Sequence, residues 1–186
     1  MWPHAAIPPP TASSSTRRWT QAGSSGSAGS RSSERGLSLA SLVLPQGQVE
    51  QLRHVLSGQF RRRGRGEMCP VRRVPLYDCW GFVMALSAVF GRRVPNIVPP
   101  ASAVDRHGLY ERALQSGEWK VLAGPEPGAV VALRTSPRHR DFVDHVGVVF
   151  DSCRFAHIQR NMQVHADRLD TSPYARLIAG FYVWNG

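Results

Sequence analysis

The segment from Asp78 to Gly91 constrains the fold more than any other part of the chain. Asp78 is a residue type that caps helix N-termini, residues 79–90 are almost all apolar, and Gly91 suits a helix end. A helix that is apolar on every side has to lie in the interior of a domain. The sequence therefore predicts a buried central helix over 79–90.

Patterns after this helix predict a second helix and then a series of strands. Residues 101–115 have the pattern of a more polar helix that stops before Gly117. Strand-like runs separated by turn residues follow over 119–122, 129–133, 145–150, 154–158 and 177–183. Helices first and strands second predict an α+β domain, in which the helix at 79–90 packs on an antiparallel sheet.

The N-terminal third differs from the rest in composition. Residues 1–36 are rich in Pro, Ser, Gly and Arg, and offer too little apolar surface to offset the entropy of ordering. Residues 49–56 have the pattern of a short amphipathic helix outside the main core. The predicted organisation is a disordered tail over 1–66 and a folded domain over 68–186. Met68 stands where the folded pattern begins, and a native chain that starts there is an equally weighted alternative.

Basic residues are concentrated in the same N-terminal third. The chain has a net charge of +10, and residues 1–66 hold nine of its 23 basic residues but two of its 13 acidic ones. The run Arg61-Arg62-Arg63-Gly64-Arg65 offers charge for phosphates, but no aromatic residue is interleaved to stack on bases. This favours a solvated basic linker over a nucleic-acid-binding segment.

The remaining features of the sequence mainly exclude classes of protein. Three cysteines are too few for a secreted disulfide framework, so reduced thiols fit better, with a Cys69–Cys153 bridge left open. No apolar run approaches the roughly 20 residues of a membrane helix, and no secretory signal pattern opens the chain. The cysteines and histidines do not fall at zinc-ligand spacings, so neither a metal nor a cofactor is expected. His139 and His165 lie in polar stretches and are expected to be solvated.

Cys79, His145 and His157 are the candidate catalytic residues. Cys79 takes the first position of the predicted helix, where the positive end of the helix dipole lowers the pKa of a thiol. His145 opens one predicted strand and His157 ends the next, so a hairpin brings them together, and Gly147 permits a close approach. His145 would then take the thiol proton and His157 would orient it. Taken singly, each residue fits a packing or surface role, and only the set favours nucleophilic catalysis.

These motifs resemble those of the NlpC-type cysteine peptidases of peptidoglycan, a compact relative of the papain fold. The resemblance covers about residues 68–186 and rests on Asp78-Cys79-Trp80-Gly81-Phe82-Val83, His145-Val146-Gly147 and His157. The variant Tyr77-Asp78-Cys79-Trp80-Gly81 is similar to the branch found in tailed phages and prophages, where the protein belongs to the tail tip.

The resemblance implies that Cys79 is the nucleophile, His145 the base and His157 the third member of a triad that needs no cofactor. It implies stem peptides of the cell wall as substrate, cut between D-glutamate and a diamino acid. Other tail-tip proteins are the further expected partners, and no membrane partner is expected. The expected location is a virion tail, or the host cytoplasm before assembly. Asp78 and Trp80 are the predicted substrate-binding residues. Asp78 holds an amine or only caps the helix, and Trp80 lines the groove or only covers the helix end.

Two positions depart from the family pattern. The serine after the cysteine is Trp80 here, which weakens the transfer of substrate preference, and the Pro-Gly-Asp before the middle strand reads Pro127-Gly128-Ala129. Two alternatives therefore stand beside the peptidase: a catalytically silent tail-tip assembly component with the same fold, and a nucleic-acid binder that uses the basic tail.

Overall fold

The computed structural model describes residues 44–186, which form three α-helices and nine strands. The helices are α1 (Gln46–Leu56), α2 (Cys79–Val89) and α3 (Ala103–Gln115). The strands are β1 (Gln59–Phe60), β2 (Arg65–Met68), β3 (Pro75–Tyr77), β4 (Trp119–Leu122), β5 (Val130–Leu133), β6 (His145–Asp151), β7 (Arg154–His157), β8 (His165–Arg168) and β9 (Ile178–Trp184). A short 3-10 helix, Ala175–Leu177, precedes β9.

The strands are arranged in two sheets. A small sheet has the order β1-β3-β2, with β1 parallel and β2 antiparallel to β3. A larger antiparallel sheet has the order β4-β9-β5-β6-β7-β8. The predicted α+β class, with a central helix on an antiparallel sheet, is confirmed.

The helix α2 is buried, as its apolar sequence predicts. Its side chains pack on one face of the larger sheet; the contacts include Phe82, Val83 and Leu86 from the helix and Val130, Val148 and Phe150 from the strands. The next residue along each strand points to the other face, which is covered by Tyr174 and Ile178 among others; these residues include Val131 and Val149. The strands β5 and β6 are thus covered on both faces.

The prediction of a disordered tail up to residue 66 is wrong for residues 44–66. Leu52 and Val55 of α1 are buried in the same core as α2. The helix pattern at 49–56 was recognisable, but its place in the core was not, because two buried positions give only a weak apolar stripe. The predictions for residues 1–43 lie outside the described residues and stay predictions.

The three cysteines are free thiols. This agrees with the expectation of reduced cysteines rather than with a Cys69–Cys153 bridge. In the described part of the chain, no helix has the length and apolar character needed to cross a membrane.

Candidate active site

Cys79 occupies the first position of α2, and Asp78 fixes the start of that helix. One oxygen of Asp78, Oδ1, accepts hydrogen bonds from the Gly81 N–H at 2.7 Å and from Nη1 of Arg65 at 2.6 Å. The backbone N–H of Asp78 donates to the Gly64 carbonyl at 3.1 Å. Asp78 is therefore a helix cap paired with an arginine, and its contact with a substrate amine stays a prediction.

The basic run at 61–66 is a solvated linker only in part: Arg61, Arg62 and Arg63 are exposed, whereas Gly64 and Arg65 contact the start of α2. Arg65 also donates to the Ile97 carbonyl at 2.9 Å, which ties the run to the segment before α3. A Cβ atom on Gly81 would lie 2.1 Å from the Gly64 carbonyl oxygen, so this approach requires glycine. Gly64 and Arg65 thus support the end of the helix that carries Cys79.

The structure brings His145 and His157 together. His145 begins β6 and His157 ends β7, and Nε2 of His145 lies 2.9 Å from Nδ1 of His157. Both rings are buried. The close approach expected at Gly147 is present, because a Cβ there would lie 2.8 Å from the Ala156 carbonyl oxygen.

Asp167 extends this hydrogen-bonded chain and was missed by the sequence analysis. Its Oδ2 lies 3.0 Å from Nε2 of His157. It belongs to β8, which pairs with β7 so that His165 faces His157. His165 is partly buried, with its ring centroid 4.0 Å from that of His157, so the expectation that it is solvated is wrong. The polar-apolar alternation Val164-His165-Ala166-Asp167 was a signal for this strand, but a weak one over so few residues.

The hydrogen-bond partners decide which nitrogen of each ring carries the proton. A carboxylate only accepts hydrogen bonds, so Nε2–H of His157 donates to Asp167. Nδ1 of a neutral His157 then accepts from Nε2–H of His145. This leaves Nδ1 of His145 unprotonated, and this nitrogen is the one free to accept a proton from a thiol.

Burial keeps the thiol and both rings neutral at rest. Burial lowers the pKa of His145 and of His157 well below the usual range, and each ring also lies beside another histidine. Burial raises the pKa of Cys79 to about 11, and the charge of Asp78 adds to this while Arg106 opposes it. The sequence predicted the opposite direction for Cys79, because a helix start lowers a thiol pKa. The loss of water around the sulfur outweighs the helix dipole here.

Two cavities meet at Cys79 and His145, both of which line each of them. The first has a volume of about 320 Å³ and mainly apolar walls, which include Trp80, Leu109, Tyr110, Trp119 and Tyr182. The second has a volume of about 870 Å³ and a basic lining, which includes Arg62, Arg63 and Arg160. Although no hydrogen bond joins Cys79 to His145, both lie between an apolar and a basic end of one cleft.

Trp80 has features of both roles predicted for it. Its indole N–H donates to the Pro95 carbonyl at 2.8 Å, and its ring packs edge to face on Trp119 with centroids 6.1 Å apart. The same side chain lines the apolar cavity beside Cys79. It therefore covers the helix end and forms a wall of the cleft, while its contact with a substrate stays a prediction.

Comparison with known proteins gave similarities in structure alone. No protein-family model and no curated protein matches the chain. The fold is similar to NlpC1 of Trichomonas vaginalis (16% identity, TM-score 0.47), to NlpC2 of the same organism (13%, 0.49) and to a lipoprotein-like NLP/P60 family protein of Staphylococcus aureus (13%, 0.45). The alignments cover 77%, 74% and 80% of this chain but 46%, 45% and 45% of the other three. The chain thus spans less than half the length of each of these proteins.

Proposed function

We propose that this protein is a cysteine peptidase that hydrolyses stem peptides of peptidoglycan, with Cys79 as nucleophile and His145 as base. The observation that carries the proposal is the location of both residues at the junction of two cavities, with the hydrogen-bonded chain from His145 through His157 to Asp167 behind them. The motif around Cys79 resembles that of peptidases in phage tails, which supports a tail-associated role as part of the same proposal.

The first chemical step joins the thiol to the substrate. Nδ1 of His145 accepts the thiol proton while Sγ of Cys79 forms a bond to the scissile carbonyl carbon, and the carbonyl π electrons move to the oxygen. The N–H groups in the first turn of α2 have no intrahelical partners, so that of Cys79 is available to stabilise the oxyanion. A resting neutral pair means that proton transfer and attack occur together.

The second half of the reaction returns the proton. The imidazolium of His145 is stabilised by His157 and, through it, by Asp167, and it protonates the leaving amine as the C–N bond breaks. Water then attacks the thioester, with His145 accepting a proton from it and returning that proton to Sγ. The carboxylic acid product leaves and the neutral pair is restored.

The lining of the cleft supports a peptide that carries carboxylates. The exposed Arg62, Arg63 and Arg160 line the basic cavity, and guanidinium groups bind carboxylates through paired hydrogen bonds. Stem peptides carry free carboxylates next to small apolar side chains, which suit the apolar cavity beside Trp80. The substrate class therefore agrees with both ends of the cleft.

Peptide release from purified sacculi and from synthetic stem peptides tests the proposal. Wild type is expected to release peptide, and Cys79→Ala to be slower by at least about 10³-fold, because the nucleophile is lost. Cys153→Ala is the matched control, since this thiol lies in the turn between β6 and β7 and lines neither cavity. Equal release by wild type and Cys79→Ala would overturn the proposal.

A catalytically silent tail-tip component with the same fold is the second candidate. Two observations favour it: the raised pKa of Cys79, and the absence of a hydrogen bond between Cys79 and His145. Tail assembly in the presence of wild type or Cys79→Ala separates the two functions. Normal assembly with either chain, together with no peptide release by wild type, would select the structural role.

A further inference from the structure

We propose that His157, His165 and Asp167 form a binding site for a divalent transition metal of the zinc type, and that the bound ion switches off the base His145. The metal site itself follows from these three residues alone. The inhibitory effect rests on the proposed function.

The ligand atoms are already arranged for one ion. One nitrogen of each histidine and one carboxylate oxygen all lie within 4.8 Å of one another. Oδ2 of Asp167 is 3.0 Å from Nε2 of His157 and 3.6 Å from Nε2 of His165. A tetrahedral zinc ion with bonds of about 2.0–2.1 Å holds its ligands roughly 3.3 Å apart. The three side chains therefore need to move little to bind it.

The β7–β8 pairing produces this arrangement. His165 faces His157 across the strands, and Asp167 lies two residues along β8 and hence on the same side of the sheet. No spacing rule along the sequence detects such a site, because its ligands come from two strands. Two imidazole nitrogens and a carboxylate form a donor set that suits zinc.

The site has a closed side and an open side. His157 is fully buried, and the ring of Tyr174 covers it with centroids 4.6 Å apart. The side chains of His165 and Asp167 remain 29% and 20% exposed. An ion can therefore enter past these two residues and keep water in its fourth position.

Metal binding would reverse the proton positions on both histidine rings. An ion on Nε2 of His157 replaces the proton there, and that proton moves to Nδ1 so that the ring stays neutral. Nδ1–H of His157 then donates to Nε2 of His145, and His145 carries its single proton on Nδ1. Each ring keeps one proton, so no proton is gained or lost. Nδ1 of His145 is then a donor and cannot accept the proton of Cys79.

Titration of the full chain with zinc ion alone tests the site by calorimetry. Wild type and His54→Gln are expected to bind one ion at this site with the same affinity, since His54 is an exposed histidine on α1. His165→Gln is expected to weaken that binding by at least about tenfold. Losing a residue that only hydrogen-bonds to a metal ligand already costs about this much, and His165 is proposed to bind the ion directly. Equal affinity in all three proteins would overturn the site. Thermal unfolding without metal verifies that each variant is folded.

Nitrogen NMR of the histidine rings tests the coupling in the wild-type protein and needs no variant. Without metal, the protons of His145 and His157 are expected on Nε2, and with zinc on Nδ1. Unchanged proton positions in the zinc-bound protein would overturn the coupling.

Hydrolysis with increasing zinc separates this proposal from the proposed function. Relative to its own metal-free rate, His165→Gln is expected to need at least about ten times more zinc than wild type for half inhibition. Full activity of zinc-saturated wild type would overturn the inhibitory effect. A third outcome is that zinc moves the ring protons of His145 and His157 to Nδ1 in a protein that shows no hydrolysis without metal. This outcome would support the metal site and its coupling to His145, and would contradict the peptidase function.

Discussion

In the proposed mechanism, the direction in which a proton moves at His145 depends on Cys79 and Asp167. Cys79 lines both cavities together with His145, and the carboxylate of Asp167 is linked to His145 through His157. Because Asp167 only accepts a hydrogen bond, it orients both rings so that the nitrogen left unprotonated is Nδ1 of His145. Within the proposed function, Asp167 is thus a positioning residue whose effect reaches the thiol through two rings.

Replacement of Asp167 tests this orientation. In Asp167→Asn the amide N–H can donate to Nε2 of His157, which favours the opposite proton positions on both rings. We expect kcat on a stem peptide to fall at least about 100-fold, as wrong-tautomer variants of other triads do. KM is expected to stay unchanged, because Asp167 lines neither cavity. Asp170→Asn, in an exposed salt bridge after β8, is the matched control, and a rise in KM without a fall in kcat would refute the role.

The raised pKa of Cys79 determines how fast its thiol should react with an alkylating reagent. With a pKa of about 11, Cys79 is almost entirely protonated at neutral pH. Its alkylation by iodoacetamide should therefore quicken about tenfold for each pH unit until the pH approaches this pKa. A backbone hydrogen bond from Arg72 lowers the pKa of Cys69, which should react first at pH 7. Peptide mass spectrometry across a range of pH measures both rates. Faster labelling of Cys79 than of Cys69 at pH 7 would show that the pKa of Cys79 is lowered, as its place at a helix start predicts.

Among the elements, the contact between the basic run at 61–66 and α2 determines where Cys79 lies. Gly64 accepts the Asp78 N–H, and Arg65 pairs with the Asp78 side chain. The absence of a side chain at Gly81 lets this run reach the helix. Cys79, two residues before Gly81, is thereby held at the junction of the cavities.

Gly81→Ala should disrupt this contact. The added Cβ would lie 2.1 Å from a backbone oxygen, which cannot turn aside as a side chain can. We expect the free energy of unfolding to fall by about 1–3 kcal/mol, as for other overpacked sites, and kcat to fall with it. Urea unfolding measures the first effect. Gly47→Ala in α1, where a Cβ meets nothing within 4 Å, is the control and should be neutral or slightly stabilising. Equal stability of the two variants would show that the backbone at Gly64 moves away from the added Cβ at little cost in free energy.

The elements differ in how far the sequence predicts them. The helix α2 and the β6–β7 hairpin were predictable because cap, apolar run and turn residues are local signals. The strand β8 was not, because its residues 165–168 are mostly polar and become a strand only by pairing with β7. For the same reason the contact between His145 and His157 was predictable, whereas the place of Asp167 beside them was not. The pKa of Cys79 was predicted in the wrong direction because it depends on what packs over the helix start.

At the scale of the whole molecule, part of the positive charge lies at the cleft. Arg62→Ala combined with Arg63→Gly should raise KM for carboxylate-bearing peptides by about tenfold or more, the value of a charged hydrogen bond, with little change in kcat. Glycine is chosen at 63 because Arg63 has a φ of 60°. Steady-state kinetics measure KM. Arg140→Ala, exposed and outside both cavities, is the control, and an unchanged KM in the double variant would exclude a binding role.

The domain boundary determines which chains can fold. The helix α1 adds Leu52 and Val55 to the core, with 0% and 6% of their surfaces exposed. Burial of each such side chain is worth about 1.5–3 kcal/mol, against a total stability of about 5–15 kcal/mol for a typical domain. A chain that starts at Met68 loses both side chains, together with the run that fixes Asp78.

Two shortened chains compare the boundaries directly, one starting at residue 45 and the other at Met68. The first keeps α1 and should unfold cooperatively, whereas the second should have a much lower Tm or no cooperative transition, because the surface of α2 that α1 covers becomes exposed to water. Circular dichroism during heating measures both. Leu52→Ala in the full chain supplies an independent value, with an expected loss of about 2–5 kcal/mol. Equal Tm values for the two shortened chains would place the start of the folded domain at residue 68, and would remove α1 from the structural basis of the site.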